Sequence, residues 1–159
     1  MSRVFIGVGS NEGERLECIS KAILALGTTR GIRLVQMATI SETEPAGGPP
    51  QGPYLNTVVE LETSLPPLDL QRLLQEIERR LGRTPSSQRW TSRPIDLDML
   101  LYDDRAIQEP TLCVPHPRLH ERRFVLEPLA QLAPDLIHPV LHLSISRLLT
   151  RLPDSSLIR

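Results

Sequence analysis

Lysine is almost missing from this chain: Lys21 stands alone among 18 Lys and Arg residues. Any phosphate clamp must therefore be built from guanidinium groups, which present a planar fork of donors rather than a point charge. Cysteine is scarce too. Cys18 and Cys113 are the only two in 159 residues, too few for a disulfide framework, and a globular chain of this size needs none to fold. A reducing, cytoplasmic setting is expected. Charge of one sign is not in excess, with 18 basic against 19 acidic side chains and a formal net charge of -1. That balance excludes a protein that coats nucleic acid or an anionic membrane through its overall charge. Long apolar runs are absent: none approaches the ~18 uncharged residues of a membrane span. The opening stretch from Arg3 to Val8 ends at Asn11-Glu12, too short for the core of a signal peptide.

What is present suffices for one domain over residues 1–159, with 40% hydrophobic residues to fill its core. Val4 to Val8 reads as a buried strand closed by Gly9-Ser10-Asn11. From Glu12 onward Leu16, Ile19, Ile23 and Leu26 recur at helical spacing, and Gly27 is placed to end that helix in a left-handed cap. Arg33 to Ser41 and Tyr54 to Thr63 read as strands, separated by the glycine- and proline-rich loop from Gly47 to Pro53. A second helix opens near Pro66-Pro67, carries Leu70, Leu73, Leu74, Ile77 and Leu81, and stops at Gly82. The polar stretch Thr84 to Ser92 leads into a strand from about Ile95 to Tyr102. The order strand-helix-strand-strand-helix-strand is the split βαβ arrangement, an α+β fold with a mainly antiparallel sheet and both helices on one face. The proline-punctuated C-terminal third, with short helices at Phe124 to Leu132 and Ser144 to Leu152, must then cover the other face.

Asp96-Leu97-Asp98 lies within the last of these strands. Its period of two sends both carboxylates to one face and Ile95, Leu97 and Met99 to the other. Side by side the acids repel, and burying them is costly unless a cation neutralises both, as in a magnesium site completed by phosphate oxygens. The plain alternative is a strand whose polar face meets water. Arg83, Arg89 and Arg93 flank or occupy the preceding loop, able to fork onto phosphate, and Trp90 offers a stacking face for a base; ordinary solvated arginines are the competing reading. A second cationic cluster runs from Val114 to Phe124, with His116, Arg118, His120, Arg122 and Arg123. Cys113, His116 and His120 would suggest zinc, but Pro115 and Pro117 disfavour the continuous helix that would align His116 with His120, and a fourth ligand is missing. Gly7-Val8-Gly9-Ser10-Asn11-Glu12-Gly13 fails the dinucleotide fingerprint at Glu12, and no Walker A loop occurs. Tyr54 and Asn56 share a strand face and offer an aromatic wall and a two-sided amide to a planar heterocycle; a core or edge role is the alternative.

As an ordered set these stretches resemble the 6-hydroxymethyl-7,8-dihydropterin pyrophosphokinase family of folate biosynthesis. The set comprises Gly9-Ser10-Asn11, Thr43-Glu44-Pro45, Tyr54-Leu55-Asn56, Gly82-Arg83, Arg89-Trp90 through Arg93-Pro94-Ile95-Asp96-Leu97-Asp98, Val114-Pro115-His116 and Arg122-Arg123-Phe124. The resemblance implies a monomeric ferredoxin-like α/β sandwich that moves the β,γ-pyrophosphoryl unit of ATP to the pterin hydroxymethyl group and releases AMP. It implies that Asp96 and Asp98 hold two magnesium ions, with Asp96 also bordering the pterin. Tyr54 and Phe124 would sandwich the ring, Asn56 would bond its edge, and Thr43, Glu44 and Ala46 would line that pocket. Gln75, Glu78, Trp90, Arg93, Met99, Cys113, His116 and Arg122 would surround the nucleotide. Arg83 and Arg93 would touch the phosphates that move, and Glu78 would act mainly as an organiser. The implied partners are small molecules, not nucleic acid or membrane.

The chain departs from the family pattern at Thr91-Ser92, Pro85, Ser86, Thr111 and Pro117, which bears on loop stiffness and nucleotide affinity. Two other readings stay in view. A non-catalytic ATP-sensing domain of ferredoxin-like fold would bind ATP without releasing AMP, and a related metal-dependent transferase would act on another planar alcohol.

Overall fold

The computed structural model describes residues 1–11, 14–43, 54–82 and 94–153. Four strands form an antiparallel sheet in the order β2-β4-β1-β5: β1 is Ser2–Ser10, β2 Ile32–Met37, β4 Tyr54–Thr63 and β5 Asp96–Tyr102. A short strand, β3 (Ser41–Thr43), extends the edge by pairing with β4. Helices α1 (Arg15–Gly27) and α2 (Pro67–Arg80) connect the strands in the order expected of a split βαβ unit.

Strand alternation builds two apolar layers, one on each face of the sheet. On the α1 and α2 side, Val4, Ile6 and Val8 of β1 meet Val59 and Leu61 of β4, Leu97 and Met99 of β5, and the buried helix positions Ile19, Leu26, Leu70, Leu74 and Ile77. On the other side Phe5, Val58 and Leu100 pack against α3 (Arg123–Leu132) and α4 (Ile145–Thr150) through Val125, Leu126, Leu129, Ile145 and Leu148. The C-terminal third therefore covers the second face, as required. A bulge in β5 shapes this layer: Phe5 pairs with Leu101 and Ile6 with Met99, which leaves Leu100 as the extra residue. The extra residue resets the alternation, so Tyr102 returns to the α1 and α2 side while Asp96 and Asp98 stay on the α3 side.

The second helix and its closing glycine fall where proline-first and glycine-last chemistry puts them: Pro66 precedes the helix, and Gly82 takes a φ of 108°. The first helix differs from expectation in two ways. Leu16 is 58% exposed and lies off the buried face, which Ile19, Ala22 and Leu26 define. Gly27 is the last helical residue, not a left-handed cap; Thr28 caps in the right-handed region, and Gly31 carries the positive φ of 89°. Gly27 serves close packing instead, because a Cβ there would stand 2.9 Å from Leu34 Cδ1. The strand expected from Arg33 to Ser41 is two strands, since Thr39 turns its N–H to Gln131 Oε1 of α3 at 2.9 Å rather than to a neighbouring strand. A small hairpin was not anticipated, formed by β6 (Ile107–Glu109) and β7 (Leu112–Val114). Among the described residues no helix is long and apolar enough to cross a membrane.

Leu126 is fully buried where α3 meets the sheet, whereas Leu24 on α1 is 65% exposed. Leu126→Ala is expected to lower the unfolding free energy by about 2–5 kcal/mol, through lost burial and a residual cavity. Leu24→Ala should change it by no more than about 0.5 kcal/mol. Urea unfolding followed by circular dichroism measures both.

Candidate active site

The edge strand β5 carries polar groups toward both the α3 and the α2 side of the sheet. On its α3 side the central strand β1 presents Gly7 and Gly9, which pair with Asp98 and Asp96 of β5 and, across the sheet, with Val58 and Asn56 of β4. Because β1 has no side chains at these positions, its bare backbone lies between the polar ends of β4 and β5. Tyr54 and Asn56 share that face with Val58 by strand alternation, and Phe124, the second residue of α3, packs against the same apolar layer. Five residues expected to hold a ring or a metal, Tyr54, Asn56, Asp96, Asp98 and Phe124, thus come to one face of the sheet. Asp96 is half-buried and Asp98 exposed, while Ile95, Leu97 and Met99 between and beside them are buried on the opposite face.

On the α2 side of β5 lies a cavity of about 350 Å³. One stripe of α2 supplies Gln71, Leu74, Gln75 and Glu78; β5 supplies Leu97, Asp98 and Met99; the hairpin and the chain after it supply Leu112, Cys113, His116 and Pro117. Gln75, Glu78, Met99, Cys113 and His116, all expected around a nucleotide, therefore line one cavity, and Asp98 reaches its wall as well. Arg122 stands outside this lining, with its guanidinium 5.5 Å from the centre of the Phe124 ring. Gln71, Leu74, Leu97 and Leu112 also line the cavity without having been expected there, and Pro117, a departure from the family pattern that bears on nucleotide affinity, does line it. Gln71 alone carried a usable signal, lying one helical turn before Gln75 on the same face. Its side-chain amide donates to the Thr111 carbonyl and so ties α2 to the hairpin.

Hydrogen bonds at two residues, Glu78 and His116, fix the cavity wall. Glu78 Oε2 accepts the N–H of Leu97 at 2.8 Å, satisfying an edge-strand donor midway between the two aspartates. His116 donates its backbone N–H to the Leu100 carbonyl at 2.9 Å and accepts the Arg118 N–H on Nδ1 at 3.2 Å. Burial, followed by the nearby positive charges of Arg122 and Arg118, pulls the His116 pKa down to about 4. The imidazole is thus neutral at pH 7 with its proton on Nε2, a donor that adds no charge.

Asp96 and Asp98 offer hard oxygen donors of the kind magnesium takes. Among the described residues no cluster of three or more His, Cys, Asp and Glu side chains suited to a metal occurs, so an ion held by this pair would draw its remaining ligands from substrate oxygens and water. Thr43 is placed by backbone pairing with Tyr54. Glu44, Ala46, Arg83, Trp90 and Arg93, together with the loop from Thr84 to Ser92, lie outside the described residues.

Fold and site together place two neighbouring carboxylates on one face of the edge strand of an antiparallel α+β sheet, an arrangement suited to a phosphotransferase. The 7,8-dihydro-6-hydroxymethylpterin-pyrophosphokinase family model matches residues 5–134, and the chain belongs to that family. It is 42% identical over 128 residues to the 2-amino-4-hydroxy-6-hydroxymethyldihydropteridine pyrophosphokinase of Bacillus subtilis, covering 80% of this chain and 76% of that one. Similarity to the folic acid synthesis protein fol1 of Schizosaccharomyces pombe is 38% over 153 residues, 96% of this chain but only 21% of that much longer protein. The fold matches the crystal structure of Plasmodium falciparum HPPK-DHPS wild type with pteroate at a TM-score of 0.75 and 14% identity, over 94% of this chain and 42% of that one.

The His116 shift has a definite sign. Its folded pKa lies below the ordinary value of 6.5, so between about pH 6.5 and 4 the unfolded chain binds more protons. Stability is full above that window and is lost as pH falls through it. His138, whose pKa is also lowered by burial, acts in the same direction. Urea midpoints at pH 7.5, 6 and 5 should fall in that order, with a shallower slope in His116→Gln.

Proposed function

We propose that this chain transfers the β,γ-pyrophosphoryl unit of ATP to the hydroxymethyl oxygen of 6-hydroxymethyl-7,8-dihydropterin, giving the pterin diphosphate and AMP. The observation that carries the reading is the position of the acid pair: Asp96 and Asp98 lie on the ring-binding face of β5, and Asp98 also lines the cavity on its α2 side. The two substrates then approach from opposite sides of one strand and meet at one pair of carboxylates. Family membership favours this catalytic reading over a sensing domain.

In this arrangement Tyr54 and Phe124 hold the two faces of the ring, the Asn56 amide bonds its edge, and Thr43, Glu44 and Ala46 complete the pocket. Gln75, Glu78, Met99, Cys113 and His116 surround the nucleotide, with Arg122 at its border and Trp90 stacked on the base. His116 acts as a neutral donor. Glu78, through the Leu97 amide, keeps the stretch carrying both aspartates in register. The hydroxymethyl oxygen forms a bond to the β-phosphorus, the bond from that phosphorus to the oxygen bridging α and β breaks, and this oxygen leaves on AMP while the alcohol proton passes to solvent. Two magnesium ions held by Asp96 and Asp98 would neutralise the triphosphate and lower the pKa of the alcohol. Arg83 and Arg93 stabilise the charge that spreads over the phosphoryl oxygens. All these groups belong to one chain, so a monomer suffices, and the two free thiols of Cys18 and Cys113 agree with a reducing cytoplasm.

AMP formation from ATP and magnesium, measured with and without the dihydropterin, tests the proposal. Pterin-dependent AMP, with a diphosphate ester on the pterin in the phosphorus NMR spectrum, is expected; ADP in place of AMP would contradict it. Asp98→Ala should lower turnover by about 100-fold or more at saturating magnesium. Near-normal turnover in that variant would remove Asp98 from the metal site.

A further inference from the structure

We propose that Gly9 is a positioning residue for the heterocyclic substrate: by carrying no side chain, it lets the Asn56 amide lean over β1 toward Asp96, where the edge of the ring is bound. The inference rests on the pyrophosphokinase reading and adds to it a residue that touches neither substrate through a side chain. Gly9 pairs with Asn56 on one side and Asp96 on the other. A Cβ built at Gly9 would stand 2.9 Å from Asn56 Oδ1, against 3.6 Å from the Leu55 carbonyl oxygen and 3.8 Å from Tyr54 Cδ1. Only the first is closer than real Cβ atoms come, so the group that must give way is the amide.

Backbone conformation does not call for glycine here. Among the described residues the positive-φ glycines are Gly31 and Gly82, and Gly9 lies within a regular strand, where glycine weakens pairing and marks a close approach. Gly7, two residues earlier on the same face, provides the contrast. Its Cβ would meet only the Leu100 side chain, at 3.5 to 3.7 Å, which is ordinary contact. Asn56 is itself buried, so an amide displaced from Gly9 has little room to return to the same line. An amide offers a donor and an acceptor in a fixed plane, and recognition of the complementary edge of a ring depends on that plane being held.

The test is a double-mutant cycle read by fluorescence titration of 6-hydroxymethylpterin, in the presence of magnesium and a non-hydrolysable ATP analogue. Gly9→Ala should weaken pterin affinity by at least about tenfold while the affinity for the ATP analogue stays within about twofold. In an Asn56→Ala background the same Gly9→Ala change should cost less than about twofold, because its effect runs through the Asn56 amide. Unchanged pterin affinity in Gly9→Ala, or an equal loss in both backgrounds, would overturn the inference. If Gly9→Ala alone does not fold, the double variant should, since the conflicting atom is gone; failure of both to fold overturns the inference as well. A wild-type protein that binds no pterin overturns the functional reading and this inference with it, an outcome distinct from every variant result.

Discussion

Two carboxylates spaced two residues apart on one strand face repel each other, and the strand that bears them is held in place from several directions. Leu97 and Met99 anchor it beneath α2, Glu78 accepts the Leu97 amide, and β1 pairs with it through Gly9 and Gly7 opposite Asp96 and Asp98. A strand fixed in this way cannot relieve the repulsion by moving apart. In the proposed reading a divalent cation shared with phosphate oxygens offsets that repulsion, which is what phosphoryl transfer requires. The apolar layers, the edge position of β5 and the cavity wall all bear on this one juxtaposition.

In the proposed reading the sheet separates two kinds of recognition. The α3 face offers aromatic rings, an amide and bare backbone, suited to a flat, polar-edged heterocycle. The α2 side offers a walled cavity with amides, a carboxylate and a neutral imidazole. The edge position of β5 lets Asp98 border both sides, which a central strand covered on both faces would not allow. The bulge at Leu100 contributes by resetting the alternation, so that β5 closes the core with Tyr102 at one end and presents its acids at the other.

Much of this was legible in the residues because it depends on short-range periodicity. Alternation from Ile95 to Met99 gave both the strand and the facing of its acids, and the spacing from Leu70 to Ile77 gave the buried stripe of α2. The misreadings arise where tertiary packing decides. Gly27 resembles a cap in sequence, but its lack of a side chain leaves room for the Leu34 methyl, and the left-handed turn is made four residues later by Gly31. The β6–β7 hairpin has strands of three residues, too short for any period to register. The cavity draws on three elements distant in sequence, so Leu112 became visible as lining only once α2, β5 and the hairpin were packed together. The role proposed for Gly9 likewise depends on a cross-strand register, which the local stretch Gly9-Ser10-Asn11 does not reveal by itself.

The central claim is that both substrates meet at the acid pair from opposite sides of β5. Manganese bound in place of magnesium tests it most directly, because this oxygen-seeking divalent ion is paramagnetic and broadens the NMR signals of nuclei close to it. With a non-hydrolysable ATP analogue and 6-hydroxymethylpterin bound together, manganese should broaden both the phosphorus resonances of the nucleotide and the hydroxymethyl proton resonance of the pterin, and Asp98→Ala should abolish both effects. Broadening of the nucleotide alone, or mutual exclusion of the two ligands, would contradict the account.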